Sequence, residues 1–582
     1  MVVYTSFNFS NLIQPQKINY TKSFKFIVPK LEEQNKLEQL NKDRSEFPLS
    51  DKLINQNYQT KTLKTFTDPF KFIKSSKTHH ESQICLQLNH KDEISVSPQQ
   101  FLDADLSIFL KHLNQISEFE YIIDLARQKF KPTIPESKQW FRFGGSSVWL
   151  PNYNCHYMVS RVLYTPSGIA NKAFASFLYI QLFDTNWNEL PNDTILEIPF
   201  EEEVSTNTVK LGFRKESFPQ ILPIPFDYEM HVENNKYYYG PEDPRIILRY
   251  HRDFKFHEPL IVFNMKDLQL VKRTMHIYFP YSKRLKIFKK KNEPYAKIEK
   301  NWTPFINNHQ RNKLNFIYSI IPLEVLTCDL DSAICEFLQK PVKKDYNYVG
   351  PLRGGSQLLP IPKIANNLIK SLPSNRQIYI GWARAHLNKC GCGESMYRPN
   401  LIILIQDYNH KTNKYYYKLG YVSEYFDFDA KVPSWIIPKL DEDGQLMDTE
   451  PRQCEGRNVL IPNSIAYWDI KSIRKGKKLY DRANFKDIIE STNNEELEFH
   501  DYMGVTLSAA DKDVSIVHIN GLLNYILKLS DLFDEENVIE SDNLFQLEGY
   551  ELNNKCAMIA SKEYCKSYAL NHGVVFGKDN GN

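Results

Sequence analysis

The chain has 582 residues, 42% of them hydrophobic and 25% charged, enough to build one large domain or a few ordinary ones around a real core. Its 73 basic and 70 acidic residues nearly cancel to a net charge of +3, so no global field recommends nucleic acid or an anionic membrane as a partner. Aromatic residues reach 13%, with 34 Tyr and 36 Phe, which suits β-rich packing and also suits sugar binding, where flat rings stack on the C–H faces of pyranoses.

Residues 1–95 are polar, rich in Lys, Gln, Asn and Ser, and weakly periodic, which predicts a stem or loosely packed lead-in. Its opening, MVVYTSFNFSNLIQPQKINY, shows neither the basic flank and apolar core of a signal peptide nor the length of a membrane span. In the segment 101–131, FLDADLSIFLKHLNQISEFEYIIDLARQKF carries apolar residues at helical spacing, predicting one or two helices that end before Pro132. Short β-rich runs then follow one another, among them SSVWLP, CHYMVSRVLY, FASFLYIQLFD, MHIYFPYS, QIYIGWARA, NLIILIQDY, YYYKLGYVS and VSIVHING. Turn formers separate them and no βαβ alternation appears, so an antiparallel all-β body is expected over 135–520. A β-propeller handles that many strands without long exposed edges, although no repeat period sets a blade count. Peripheral helices are expected at KIANNLIKSL and in the C-terminal segment 519–575, which includes GLLNYILKLSDLF.

Nine cysteines stand at 85, 155, 328, 335, 390, 392, 454, 556 and 565. Cys328 with Cys335, and Cys556 with Cys565, are close enough in sequence to predict two short-loop disulfides in an oxidising compartment. The odd count leaves a thiol over, which we assign to Cys155, while the partners of Cys85, Cys390, Cys392 and Cys454 stay open. The C-x-C of KCGCGE lacks the second Cys/His pair that a zinc site needs. Sequons occur at Asn8, Asn19, Asn192 and Asn301, of which Asn192 and Asn301 are the candidate glycosylation sites.

Several polar clusters border the strands. Gly144, Gly145, Ser146 and Ser147 form either a hairpin turn or a loop that lets a ligand approach the backbone, with Ser146 the candidate contact. Lys300, Asn301 and Trp302 put a cation and an amide beside a large ring, as a sugar or phosphate subsite would, or a surface turn. Arg353 stands in a Gly-flanked loop where backbone amides and a guanidinium can meet phosphate oxygens. Arg384, His386, Tyr397 and Arg398 fall within fifteen residues, as a solvated face or as a cleft wall. Asn463, Asp511, Asp513 and His518 follow; a lone strand histidine such as His518 is more often a satisfied structural residue than a catalyst. The acidic triplets DAD, DLD and DFD are too short and too common to assign a metal. The most loaded turn is KYYYGPEDPRIILRY, where Glu242, Asp243 and Arg245 surround Pro244 after Tyr237, Tyr238, Tyr239 and Gly240.

KQWFRFGGSSVWLP, CHYMVSRVLYTPSGIAN running on to QLFDTNWNEL, GPEDPRI, EKNWTPF, LRGG, CGCGESMYRPNL, LIPNSI, ADKDVSIVHINGLLNYI and CAMIASKEYCKSY resemble, in that order, the fungal β-1,2-mannosyltransferases of yeast cell-wall mannan. The match spans roughly 100–570 within a catalytic domain of 96–575. The GxEDPR block is also similar to that of the β-mannoside phosphorylases, five-bladed β-propellers that use its aspartate as proton donor. The resemblance implies a five-bladed β-propeller-like domain that transfers mannose from GDP-mannose, with inversion, to a mannan or oligomannoside acceptor.

It implies Asp243 as the base that takes the acceptor proton, with Arg245 orienting it or touching sugar and Glu242 binding mannose hydroxyls. The family blocks carry Ser146, Asn301, Trp302, Tyr397, Asn463, Asp511 and His518 into the substrate site, and Lys300, Arg353, Arg384 and Arg398 toward the donor diphosphate. Those cations make no cofactor or divalent metal strictly required. The family resembles Golgi membrane proteins, whereas no anchor is visible in this chain. Phosphorolysis of a β-mannoside and silent mannan binding are the competing readings.

Overall fold

In the computed structural model the residues described are 25–26, 34–36, 38–39, 46–67, 81–205, 208–226, 239–251, 255–267, 270–307, 309–310, 312–340, 350–369, 371–435, 454, 456–490, 496–533 and 551–574. Among them the helices pack around a body made of strands, as the pattern of short apolar runs predicts.

The helical entry comes first. Asp105 caps Leu106–Leu113 by accepting from the Ser107 amide at 2.9 Å, and Ser117–Phe130 follows. Lys131 ends it in the left-handed conformation, at φ 43°, immediately before Pro132. Phe109, Phe119, Ile122, Ile123 and Ala126 pack this pair onto the first sheet, against Trp140, Phe177 and Tyr179.

That sheet is Trp140–Leu150, Cys155–Tyr164, Ala175–Phe183 and Gln220–Ile221, each antiparallel to the next. Every residue of Cys155–Tyr164 and Ala175–Phe183 is buried, which is why these strands read as continuous apolar runs rather than alternating ones. The hairpin Thr194–Ser205 and Thr208–Phe218 forms a separate three-stranded sheet with Lys25–Phe26, which runs parallel to Thr208–Phe218. A second antiparallel sheet holds Glu242–His251, Phe256–Asp267, Lys272–Phe279 and Arg284–Ile287. A third holds Thr303–Phe305, Lys313–Ser319, Glu324–Asp329 and Ile334–Gln339, with Lys289–Lys290 added at its edge.

The remaining strands join into one 13-stranded sheet. Arg376–Asn388, Ser395–Asn409 and Lys414–Ser423 form one meander; Arg457–Lys475, Leu497–Ala509 and Ser515–Asn520 form another. Gln59–Thr67 and Asn89–Val96 bridge them, and Ser395–Tyr397 runs parallel to Arg457–Val459, closing a ring of seven strands.

The bridging pair corrects the expectation of a stem for the part of 1–95 that it occupies, while most of residues 1–45, and 68–80, lie outside the described residues. QTKTLKTFT reads as polar, yet Leu63, Thr65 and Phe66 face the core and the strand is hydrogen-bonded on both sides.

The Cys328–Cys335 disulfide is present, and Cys155 is the buried free thiol. Cys556 and Cys565 do not bond each other, because both lie on the helix Leu552–Asn571. Nine residues of helix separate them by about 13 Å, beyond disulfide reach. Instead Cys556 pairs with Cys85 and Cys565 with Cys390, while Cys392 pairs with Cys454.

Candidate active site

GPEDPR builds its geometry by strain. Gly240 has φ 93°, and a Cβ there would overlap the Ser176 carbonyl oxygen, so only glycine lets the chain pass the first sheet so closely. Ladder pairing with Phe256–Asp267 slips between Glu242 and Arg245, and inside that bulge Asp243 takes φ 51°. A residue before proline disfavours helical backbone, and a bulged strand re-aims the side chain it carries. Here the two acids part: Glu242 turns inward and is buried, whereas the Asp243 carboxylate keeps 35% exposure.

Arg161, from the middle strand of the first sheet, lies beneath both. Its Nη2 donates to Glu242 Oε2 at 3.1 Å, its Nη1 to Asp243 Oδ1 at 3.5 Å, and its Nε to Ser176 Oγ at 2.9 Å. Arg273 holds the other Glu242 oxygen at 2.7 Å. Glu242 is thereby enclosed, which corrects its expected role as a mannose-hydroxyl ligand. Burial pushes the Glu242 carboxyl up despite the pull of Arg161 and Arg273. Burial would also raise Asp243, but Arg161, Arg384, Arg245 and Arg273 outweigh it and hold the carboxyl below the usual range.

Arg245 is buried and does not hydrogen-bond Asp243. Its Nε donates to the Gly355 carbonyl and its Nη1 to Pro244 O at 2.9 Å, so it ties GPEDPR to the LRGG loop. Burial and Arg384 bring it down to about 10. Opposite lies Arg384, whose Nη2 donates to Asn301 Oδ1 at 3.1 Å. Lys300 is exposed within the field of Asp243, Arg273 and Arg384, its ammonium pulled down by desolvation. Arg353 pairs across the ladder with Arg384 and donates to the carbonyls of Gly350 and Leu352.

Asp511 approaches from the last hairpin, where Ala510 and Asp511 both adopt left-handed φ values of 51° and 53°. Burial and the nearby Asp243 push it up to about 6, against Arg161 and Arg384. Tyr397 is half-buried and within electrostatic reach of Arg384 and Asp511. Asp243, Asp511, Arg384, Lys300, Asn301, Arg353 and Tyr397 thus come together.

Other expected ligands do not join them. Trp302 is core, packed on Phe288, Phe316 and Tyr318, so it offers no face to a sugar. Ser146 Oγ accepts from the Ile246 amide at 3.1 Å and donates to Asn463 O at 3.4 Å; Asn463 Nδ2 donates to Ser508 Oγ at 2.8 Å. Both are buried stitches between sheets. His518 Nδ1 lies 2.8 Å from the Tyr467 hydroxyl, and burial lowers its pKa to about 3. Arg398 is fully buried beneath the C-terminal helix, donating to Asn458 and facing the Tyr568 ring at 4.9 Å, which removes it from the diphosphate set. Asp513 accepts from the Ala509 amide at 2.7 Å and serves its own hairpin.

Asn192 is exposed on a turn, as a glycan acceptor must be, whereas Asn301 is engaged by Arg384 inside the site. Tyr239 is buried; Tyr237, Tyr238, Asn8 and Asn19 lie outside the described residues. Sequence reasoning missed Arg161 and Arg273. The signal for Arg161 was available: a cation in the centre of a wholly buried strand requires a carboxylate partner.

The family model of beta-mannosyltransferases matches residues 84–279 and 275–564. Beta-mannosyltransferase 7 of Candida albicans is 53% identical over 558 residues, covering 91% of this chain and 85% of the relative. Beta-mannosyltransferase 8 of the same yeast is 32% identical over 568 residues, covering 84% and 77%. Beta-mannosyltransferase 3 of Komagataella phaffii is 30% identical over 501 residues, covering 84% and 74%.

Proposed function

Because the chain belongs to the beta-mannosyltransferase family and is a mannosyltransferase, we propose that it transfers mannose from GDP-mannose, with inversion, to a mannose hydroxyl of a mannan or oligomannoside, forming a β-1,2 linkage. One observation carries the reading: a solvent-reaching Asp243 on a strained bulge, set among cations from neighbouring sheets.

In the proposed step the acceptor oxygen attacks the anomeric carbon of an α-linked donor as the bond from that carbon to the diphosphate oxygen breaks. The acceptor proton passes to Asp243, directly or through a sugar hydroxyl, and the electron pair of the broken bond leaves with the diphosphate. Arg384, Lys300 and Arg353 neutralise that leaving group, the task a divalent metal performs elsewhere, so the reaction is expected to survive a chelator. The arginines hold Asp243 ionised in the free enzyme. A bound diphosphate offsets their field, which raises the basicity of Asp243 when the acceptor proton must leave. In this reading Asp511, whose carboxyl is acted on by Asp243, holds a mannose hydroxyl.

We read the successive meanders as five propeller blades. In support, each contributes to one site: Arg161 from the first, Asp243 and Arg273 from the second, Lys300 and Asn301 at the entry to the third, Arg384 and Tyr397 from the fourth, and Asp511 from the fifth. We also place the enzyme in the Golgi. Four disulfides fit an oxidising secretory route, and among the described residues no helix is long and apolar enough to cross a membrane.

The test is purified chain with GDP-mannose and an α-mannan acceptor, with and without chelator, followed by linkage analysis. Asp243→Asn should lower turnover by about 10³-fold while leaving the thermal transition in place. Turnover near wild type in Asp243→Asn sinks the base assignment. Release of mannose 1-phosphate from a β-mannoside and inorganic phosphate, without transfer from GDP-mannose, replaces the transferase reading by phosphorolysis.

A further inference from the structure

His386 and Tyr397 stand directly opposite each other on adjacent antiparallel strands, so their rings share one face of the sheet. The rings are stacked, with centroids 4.2 Å apart and planes 7° from parallel, and both residues are half-buried. Ladder register places Arg384 two residues before His386 on the same face, and Arg353 directly across from Arg384. On the other flank Ser395 pairs with Arg457, which puts Arg457 on that face as well. Arg353, Arg384 and Arg457 all act electrostatically on both rings. Burial first, then these guanidiniums, keep the His386 imidazole below its ordinary pKa, so at neutral pH it is an uncharged flat ring.

A flat uncharged pair bordered by guanidiniums fits a ligand with a π-face joined to an anionic chain. Arg384 donates to Asn301 and acts on Asp243, and the ring pair follows two residues further along the same ladder. We propose that the His386–Tyr397 pair is the seat of the donor's nucleobase, with the diphosphate spanning Arg384 and Arg353 and the sugar lying at Asp243. The proposal rests on the donor being a nucleoside-diphosphate sugar, as in the reading above.

The full chain is titrated calorimetrically with GDP, UDP, ADP and inorganic pyrophosphate. At least one nucleoside diphosphate should bind about tenfold more tightly than pyrophosphate, since stacking supplies that order of gain. His386→Ala and Tyr397→Ala should erase most of this preference while leaving pyrophosphate affinity within about twofold, which also certifies a folded anion site. Tyr397→Phe should retain the preference, because the ring and not the hydroxyl carries it. Arg384→Ala should weaken nucleotide and pyrophosphate alike. Proton NMR on the wild type gives an arm free of mutation: saturating protein aromatic protons should mark the base protons of the bound nucleotide. Equal loss of nucleotide and pyrophosphate in the ring variants, no wild-type preference over pyrophosphate, or no saturation transfer to the base each overturns the proposal. A ring-dependent preference for UDP or ADP over GDP upholds the nucleobase seat and sinks the GDP-mannose reading instead.

Discussion

Arg161 decides how two adjacent acids can carry different tasks. It binds Glu242 and Asp243 at once from a side chain only 5% exposed, and it is itself held by Ser176 Oγ. A buried ion pair adds little net stability, but removing one partner leaves the other charged and desolvated. Arg161→Met keeps comparable length and apolar bulk, so its main effect is to strip Glu242 of one of its two cations. The expected loss is about 3–5 kcal/mol, read from the denaturant midpoint, with turnover falling even where the variant is folded. Arg161→Lys keeps the charge but loses the fork that spans both carboxylates, and should fall between the two. A methionine variant as stable as wild type would mean that Arg273 alone satisfies Glu242. Trp302 shows the opposite outcome at this scale: beside a lysine and an asparagine it suggests a sugar platform, yet its ring fills the gap between Phe288 and Phe316. Sequence proximity names the neighbours of a side chain but not the face on which it lies.

Among the elements, the LRGG loop depends on close backbone approach. A Cβ on Gly355 would overlap the carbonyl oxygen of Trp382, a backbone atom that cannot swing aside, while the Gly355 carbonyl accepts from Arg245. Gly355→Ala should therefore push the loop off the strand Arg376–Asn388 and release Arg245 from its anchor. Overpacking of this kind costs about 1–3 kcal/mol, a modest shift in thermal midpoint. The larger effect should be on turnover and pyrophosphate affinity, because Arg353 and Arg384 lie on the same ladder. Unchanged affinity with only a stability loss would show that this loop is scaffold and not part of the anion site. The glycines of GPLRGGSQLLP were legible as a loop, and GPEDPR as a turn with chemistry. The left-handed backbone of Asp243 was not, because a bulge is a property of two strands in register and one strand carries only half of it. The same holds for Cys556 and Cys565, whose nearness along the chain becomes separation once the segment is helical.

For the whole molecule, buried titratable groups oppose one another across the acidic range. Asp501 is fully buried, accepts from Trp468 Nε1 at 2.9 Å and the Leu523 amide at 3.0 Å, and is pushed up to about 6 by burial. Asp511 and Asp513 are also raised to about 6. For these three the folded state binds more protons than the unfolded chain between roughly pH 4 and 6, so their contribution to stability rises as pH falls through that window. Burial lowers His156 and His518 to about 3 and His276 to about 4. For these the folded state binds fewer protons below about pH 6.5, so their contribution is lost as pH falls. The two sets have opposite slopes of about 1.4 kcal/mol per pH unit per group, which makes single variants more telling than the wild-type profile. Asp501→Asn keeps an oxygen for both donors and removes the titration. Its stability relative to wild type should fall by about 2 kcal/mol between pH 7 and pH 4, as the wild-type carboxyl takes up its proton. His518→Gln should move by a similar amount in the other direction, gaining on wild type as the acid penalty of the imidazole disappears. Urea unfolding of the three proteins at pH 4, 5, 6 and 7 measures both differences, because groups common to all of them cancel. Curves that stay parallel across this range would mean that neither group keeps its shifted affinity in solution, and that water reaches both interiors.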